Sequence, residues 1–197
     1  MWYWAFRSIF LVILKLFFKF KVEGLENLPQ KSNFILAANH SSFMDGVVMG
    51  AAVPKMVYWI TLRELYAVAA LKWFFNKIGA LPSGSASERA AYLLMHNKNI
   101  GIFPEGGISR KGELREFRRG MAMLAIKTGR PVVPCAIFGT FKALPFGNWI
   151  PKPVPIKVKI GHPQYLLKDF DDVVDDIEIL EGLNRIRNSI KELLNAG

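Results

Sequence analysis

A single cysteine, Cys135, stands in 197 residues. One thiol excludes an internal disulfide and any metal site built on a cysteine cluster, and it suits a reducing, cytosol-facing compartment. Charge is also scarce, at 21% of residues against 51% hydrophobic types. That balance excludes a disordered chain. Acidic residues are few, 16 against 26 Lys and Arg, and they are unevenly placed. Residues 1–167 carry 22 basic and 8 acidic side chains, whereas residues 168–197 carry 4 and 8. A basic, apolar body calls for an anionic partner: nucleic acid, an acidic membrane surface or a phosphorylated substrate.

No long uncharged apolar run is present at the N-terminus. The first twenty residues, MWYWAFRSIFLVILKLFFKF, would reach about 30 Å as a helix, the thickness of a bilayer core. Arg7 and Lys15 flank the midpoint, however, and each would cost roughly 2.5–3.5 kcal/mol near the centre of a span. The uncharged stretch Ser8–Leu14 is short for a signal peptide, and no small-residue cleavage site follows it. On a helical wheel Arg7, Ser8, Lys15 and Lys19 share a sector of about 120°, opposite a wide apolar face. The expectation is a helix over residues 1–20 lying in the membrane interface. Its lysines would face headgroups, with Trp2, Trp4 and Phe17 in the acyl boundary. The plainer alternative is a helix packed on the protein core.

Beyond Gly24, short apolar runs alternate with helical stretches. Strands are predicted at Asn33–Ala38, Met56–Thr61, Asn99–Phe103, Pro131–Phe138 and Val154–Ile160. Helices are predicted at Met44–Ala52, Leu62–Lys77, Ala86–Asn97, Arg118–Thr128 and Ile179–Leu194. Runs such as FILAA and VVPCAI are apolar throughout, as in strands covered on both faces. The alternation predicts an α/β fold, a mostly parallel sheet flanked by helices. Residues 21–197 are read as one such domain, with Pro145–Pro155 an internal loop. Leu62–Lys77 has apolar side chains on nearly every face, so it is buried or lies against lipid, burial being the default. The acidic stretch Asp169–Glu181 reads as a solvated turn before a packing helix.

Ligands in open α/β sheets bind beyond the carboxyl ends of the strands. Two predicted strands run into polar clusters there, Asn39-His40-Ser41-Ser42-Phe43-Met44-Asp45 and Pro104-Glu105-Gly106-Gly107-Ile108-Ser109-Arg110. On a continuous helix His40 and Asp45 would diverge by about 140°. With His40 on a loop and Asp45 in the next helix's first turn, the carboxylate can return onto the imidazole. It would then fix the tautomer and leave the other ring nitrogen as a base. The competing reading of Ser42-x-x-Asp45 is a capping box, which suits the helix N-terminus whatever His40 does. No nucleophile is evident, since Cys135 lies in an apolar strand and Ser41 and Ser42 read equally well as caps. A dyad without a nucleophile suits direct attack of a bound alcohol on an activated acyl group.

These residues resemble the 1-acylglycerol-3-phosphate acyltransferase family of glycerophospholipid acyltransferases. Asn39–Asp45 matches its Asn-His-x-Ser-x-x-Asp motif and Phe103–Gly106 its Phe-Pro-Glu-Gly motif. Phe117-Arg118-Arg119-Gly120 matches a Phe-basic-basic-Gly element, and Val133-Pro134 a Val-Pro strand motif. All four stand in family order, and the similarity covers roughly residues 22–165. The resemblance implies that His40 is the base and Asp45 its orienting partner. It implies that Glu105 and Gly106 help to bind the acyl acceptor and that Pro134 shapes the pocket. The implied reaction moves a fatty acyl chain from a thioester, acyl-CoA or acyl-carrier protein, to the free hydroxyl of lysophosphatidate, with no cofactor and no metal. The N-terminal helix, the basic body and the lone cysteine lead to the expectation of a monotopic protein on the cytoplasmic face of a membrane, with anionic lipid favoured and without nucleic acid.

Two family arginines are replaced here, by Ile108 and Ser85, which leaves the acceptor headgroup open. If a phosphate is bound, the substitutes must come from nearby. Residues 110–130 hold seven basic side chains, of which Arg110 and Arg118 are the closest to the motifs. Gly106 and Gly107 could add backbone N–H groups. The alternatives are another lysolipid acceptor, such as a lyso-aminolipid, and a non-catalytic lipid-binding protein of the membrane surface.

Overall fold

The apolar run at Phe34 becomes the central strand of a seven-stranded sheet in the computed structural model, which describes residues 2–84, 86–166 and 176–197. In chain order the elements are α1 (Trp2–Phe18), β1 (Lys21–Glu23), β2 (Ile35–Ala38), α2 (Asp45–Ala52), β3 (Val57–Thr61), α3 (Ala69–Ile78) and β4 (Leu81–Pro82). They continue as α4 (Ala86–Met95), β5 (Asn99–Ile102), α5 (Gly120–Thr128), β6 (Val132–Phe138), α6 (Thr140–Ala143), β7 (Lys157–Ile160) and α7 (Asp176–Asn195). The strand order is β1-β7-β6-β2-β5-β3-β4. Every pairing is parallel except β6 with β7. All four residues of β2 are fully buried, as a strand between two helical layers requires. Phe34, Leu36 and Val133 pack with α1 and α2 on one face, and Ile35, Ile100 and Val132 pack with α4, α5 and α7 on the other.

The predicted strands are present, and two short ones join them. β1 and β4 have three and two residues, too few to carry a period. The predicted helix over Leu62–Lys77 is broken: a 3-10 turn at Arg63–Ala67 precedes α3. The expected burial of this segment is also corrected, because no residue of α3 is buried. α3 lies instead beside α1, where Trp73 and Phe74 meet Phe6 edge-on at 6.2 and 5.0 Å between ring centroids. α3 ends at Gly79, whose φ of +76° closes the helix and whose Cα sits where a Cβ would lie 2.8 Å from the Tyr58 ring. α7 begins three residues before the predicted Ile179. Asp176 and Glu178 then fall in its first turn, favourable toward the helix dipole. The rest of the acidic stretch, like the Ser85 position, lies outside the described residues.

α1 is two-faced. Tyr3, Leu14 and Phe18 are buried, while Trp2, Trp4, Ile9, Val12, Ile13, Leu16 and Phe17 are exposed. Arg7 shares a polar sector with Lys15 on the wheel, but it turns to the body. Arg7 Nε donates to Val53 O at 3.1 Å, at the C-terminal end of α2, where a cation complements the helix dipole. Among the described residues, no helix is long and apolar enough to cross a membrane.

Candidate active site

β2 ends in Asn39, whose side chain continues the sheet. Its amide donates to Ile137 O at 3.1 Å and accepts from Ile137 N at 2.7 Å, fastening the strand end to β6. The chain then turns, and one carboxylate oxygen organises the turn. Asp45 Oδ2 accepts from the backbone N–H groups of Ser41 and Ser42 at 2.7 and 2.8 Å. The same oxygen lies 2.9 Å from His40 Nδ1. The capping interaction and the dyad are therefore one arrangement, not rivals. A carboxylate only accepts, so a neutral imidazole held this way carries its proton on Nδ1 and turns the Nε2 lone pair outward. Asp45 is fully buried and His40 is 16% exposed at its side chain, so the imidazole alone reaches the surface. Nε2 has no hydrogen-bond partner among the described residues.

The ring is also held face-on. His40 stacks on Phe103 at 4.1 Å and 16°, and Phe103 stacks on Trp59 at 4.9 Å and 26°. Trp59 has room because its partner in the β3–β5 register is Gly101. A Cβ there would lie 2.4 Å from the indole. None of this stack was visible as a pattern in the sequence, because it joins three strands.

Glu105 is placed behind the dyad. It is 2% exposed, and both of its carboxylate oxygens are engaged by backbone. Oε1 accepts from His40 N at 2.7 Å and Oε2 from Arg115 N at 3.1 Å. Burial raises its carboxyl above the ordinary range, against the opposing pull of those two N–H groups and of the nearby His40 and Arg115 charges. The Cys135 thiol, fully buried in β6, is also pushed up by desolvation, so it is a poor source of thiolate.

An open groove of about 890 Å³ is bounded by Gly107–Lys111, Glu113–Glu116 and Phe146, with neither His40 nor Asp45 in its lining. It adjoins the dyad through Ser109, whose N–H donates to His40 O at 2.7 Å. Arg110, Lys111 and Arg115 line it, and Arg110 is held over the Phe146 ring at 4.8 Å. Ile108, standing at one vacant arginine position, lines it too. Arg118 is not in the groove lining. Its side chain lies against Gly106, where φ is +67° and a Cβ would sit 2.2 Å from Arg118 Nε. The expectation of an anion-binding N–H at Gly106 is corrected as well, because that N–H donates to Phe103 O at 3.0 Å. Gly107 N–H has no such partner among the described residues. Arg119 turns away to pair with Asp176. Pro134 sits mid-strand in β6, its ring toward Gly161 and not toward the groove. Arg115 is the groove residue that the sequence did not single out, since four of its neighbours are equally basic. Among the described residues no cluster of His, Cys, Asp and Glu could hold a metal ion.

The family model described as Acyltransferase matches residues 19–138. A 1-acyl-sn-glycerol-3-phosphate acyltransferase of Bacillus subtilis is 29% identical over 191 residues, 93% of this chain and 92% of that protein. The chloroplastic 1-acyl-sn-glycerol-3-phosphate acyltransferase LPAT1 of Arabidopsis thaliana is 30% identical over 154 residues, 74% of this chain. The match spans 42% of the Arabidopsis protein and 43% of a Brassica napus relative, so both are much longer. Among solved structures, the 1-acyl-sn-glycerophosphate (LPA) acyltransferase PlsC from Thermotoga maritima aligns with a TM-score of 0.73 at 28% identity. That alignment covers 95% of this chain and 80% of the other.

Proposed function

Since the chain belongs to the acyltransferase family, whose model spans residues 19–138, we propose that it moves a fatty acyl chain from a thioester to the free hydroxyl of lysophosphatidate. The single observation that carries this reading is His40 Nδ1 held 2.9 Å from a buried carboxylate, on a loop whose backbone is tied through Ser109 to a groove that holds Arg110, Lys111 and Arg115. In the proposed reaction Nε2 takes the acceptor's hydroxyl proton as its oxygen attacks the thioester carbonyl. The tetrahedral intermediate collapses with cleavage of the C–S bond, and the leaving thiolate recovers the proton from the imidazolium. Asp45 holds the tautomer and stabilises that imidazolium, a contribution of about 10²–10⁴-fold for general base catalysis of this kind. No acyl-enzyme is required: the nearby hydroxyls are engaged elsewhere, Ser41 Oγ with Thr140 Oγ1 and Ser42 Oγ with Leu144 O, and neither bonds His40.

In this reading Arg110 and Arg115 receive the acceptor phosphate, helped by Gly107 N–H. Glu105 is a positioning residue that ties the His40 loop to the Arg115 loop, and Arg118 backs the Gly106 turn. The exposed apolar faces of α1 and α3 support work at a membrane surface, with the protein on the cytoplasmic side and anionic lipid favoured. A second acceptor class, a lysolipid without phosphate, is favoured by one observation only: Ile108 puts an apolar side chain in the groove. The test is an assay of purified protein with acyl-CoA and acyl-carrier protein against lysophosphatidate and phosphate-free lysolipids. Transfer to lysophosphatidate that is lost in His40→Ala supports the proposal. Equal turnover of a phosphate-free lysolipid overturns the acceptor assignment, and full activity in His40→Ala overturns the mechanism.

A further inference from the structure

Between β6 and β7 the chain makes an excursion of which the acyl-transfer reading uses only Phe146, at the groove. Because these two strands are antiparallel, with Phe138 opposite Lys157, the excursion leaves and returns at one edge of the sheet. That edge is the one carrying His40, since Thr140 Oγ1 lies 3.4 Å from Ser41 Oγ. Both limbs are tied down. Ser42 Oγ donates to Leu144 O at 2.8 Å, and Lys152 N–H donates to Ala143 O at 2.7 Å. Asn148 N–H closes a turn onto Pro145 O at 3.1 Å. What remains beyond these anchors is Trp149 and Ile150, exposed at 92% and 84%. A firmly based turn that lifts a tryptophan and an isoleucine clear of the protein would be a liability in plain water.

Its surroundings say what covers it. The returning limb meets the end of α1, where Ile156 N–H donates to Phe18 O at 2.9 Å, next to Leu16 and Phe17, themselves exposed at 73% and 62%. On its other flank Phe146 stacks with the exposed Phe43 at 5.8 Å. The exposed apolar surface thus runs on from α1 past the turn to the mouth of the site. The turn is also basic. Lys142 and Lys152 are exposed at its base, and no Asp or Glu occurs between Glu116 and Asp169. A tryptophan tip with lysines behind it is the pattern of an interfacial anchor at an anionic lipid surface.

We propose that the turn at residues 145–152 is a second membrane-inserting element, its Trp149–Ile150 tip seating the active-site edge on an anionic bilayer. The proposal rests on the reading of this protein as a membrane-surface enzyme, and goes beyond it by giving the surface two anchors instead of the helical one alone. Two contacts flanking the site fix its tilt, so that a lipid hydroxyl at headgroup level can meet His40 without leaving the bilayer.

The test uses the full chain. Cys135 is buried, so Ile150→Cys, Leu16→Cys and Glu192→Cys each offer one accessible thiol for a polarity-sensitive nitrobenzoxadiazole label. With vesicles of equal phosphatidylglycerol and phosphatidylcholine, the labels at 150 and 16 are expected to shift to the blue, and the label at 192 to stay in water. A label at 150 that stays in water while the one at 16 enters lipid overturns the second anchor and leaves the membrane reading intact. If neither enters, both fall. Independently, Trp149→Ala/Ile150→Ala is expected to raise KM for vesicle-borne acceptor about tenfold or more. Turnover of a monomeric, short-chain acceptor should be unchanged, because neither side chain touches the groove. An equal loss on the monomeric acceptor would mean that the tip handles substrate or a carrier protein, and would overturn the proposal.

Discussion

Asp45 Oδ2 accepts three hydrogen bonds, two from the turn's own backbone and one from His40. The aspartate is therefore aimed by local folding, and the histidine is aimed by the aspartate. Replacing His40 by Ala should abolish transfer with a modest effect on thermal unfolding, because Asp45 Oδ2 keeps its two backbone donors. Asp45→Asn should lower kcat by about 10²–10⁴, through loss of the charge that steadies the imidazolium, as steady-state kinetics would register. Glu105 gives a prediction of opposite sign in stability and activity. Its folded-state pKa is raised above the ordinary 4.5. Its contribution to stability is thus complete below that value and is lost as pH climbs through the raised one. In its proposed positioning role Glu105 serves best ionised, with both oxygens accepting backbone N–H groups. In Glu105→Gln the stability advantage of low pH should disappear across that window, by calorimetry, and kcat should fall about tenfold as one backbone anchor is lost. For the groove, Arg110→Ala and Arg115→Ala should each raise KM for lysophosphatidate about tenfold, near 1.4 kcal/mol for a charge-assisted contact. KM for the thioester should hold steady, and Arg118→Ala should do less.

At the scale of elements, α1 carries two jobs on opposite sides. Its buried stripe clamps the body: Tyr3 donates to Lys55 O and accepts from Val57 N, and Arg7 caps α2. Removing the whole helix would therefore mix membrane binding with stability. Ile9→Glu or Leu16→Glu separates them, since both positions are exposed. Each should weaken sedimentation with anionic vesicles by about tenfold or more while the melting temperature stays within a degree or two. Arg7→Ala should do the reverse, costing about 1–2 kcal/mol of stability with vesicle binding retained. The helical period showed that α1 has two faces but not which one meets the body. A wheel fixes angles within a helix, whereas the direction of the core is set by where α2 and α3 lie.

The whole molecule carries a net charge of +10 with its acids gathered near the C-terminus. Long-range attraction to an anionic surface should therefore add to the apolar contacts. Raising salt from 0.05 to 0.5 M shortens screening from well over 10 Å to a few ångströms. Binding to anionic vesicles should then fall steeply and level off at a salt-resistant remainder, set by the exposed apolar faces. Binding that is indifferent to salt would mean that charge plays no part in docking. The flotation assay that measures this also reads the α1 variants.

The alternation of apolar runs and helical periods was enough to determine an α/β sheet of mostly parallel strands, because a strand covered on both faces must be apolar along its whole length. Spacing allowed His40 and Asp45 to share one turn but left open whether the carboxylate caps its helix or holds the imidazole; one oxygen does both. Three matters waited for tertiary structure, each because it joins residues distant along the chain. Glu105 proved to grip the backbone of His40 and Arg115, a contact made only when β2 and β5 lie side by side. Arg115 lines the groove and Arg118 does not, a difference set by Gly106 and the turn it permits. And the edge strands β1 and β4, with the exposed α3, were illegible because a two- or three-residue strand has no period and an apolar helix reads alike whether protein or lipid covers it.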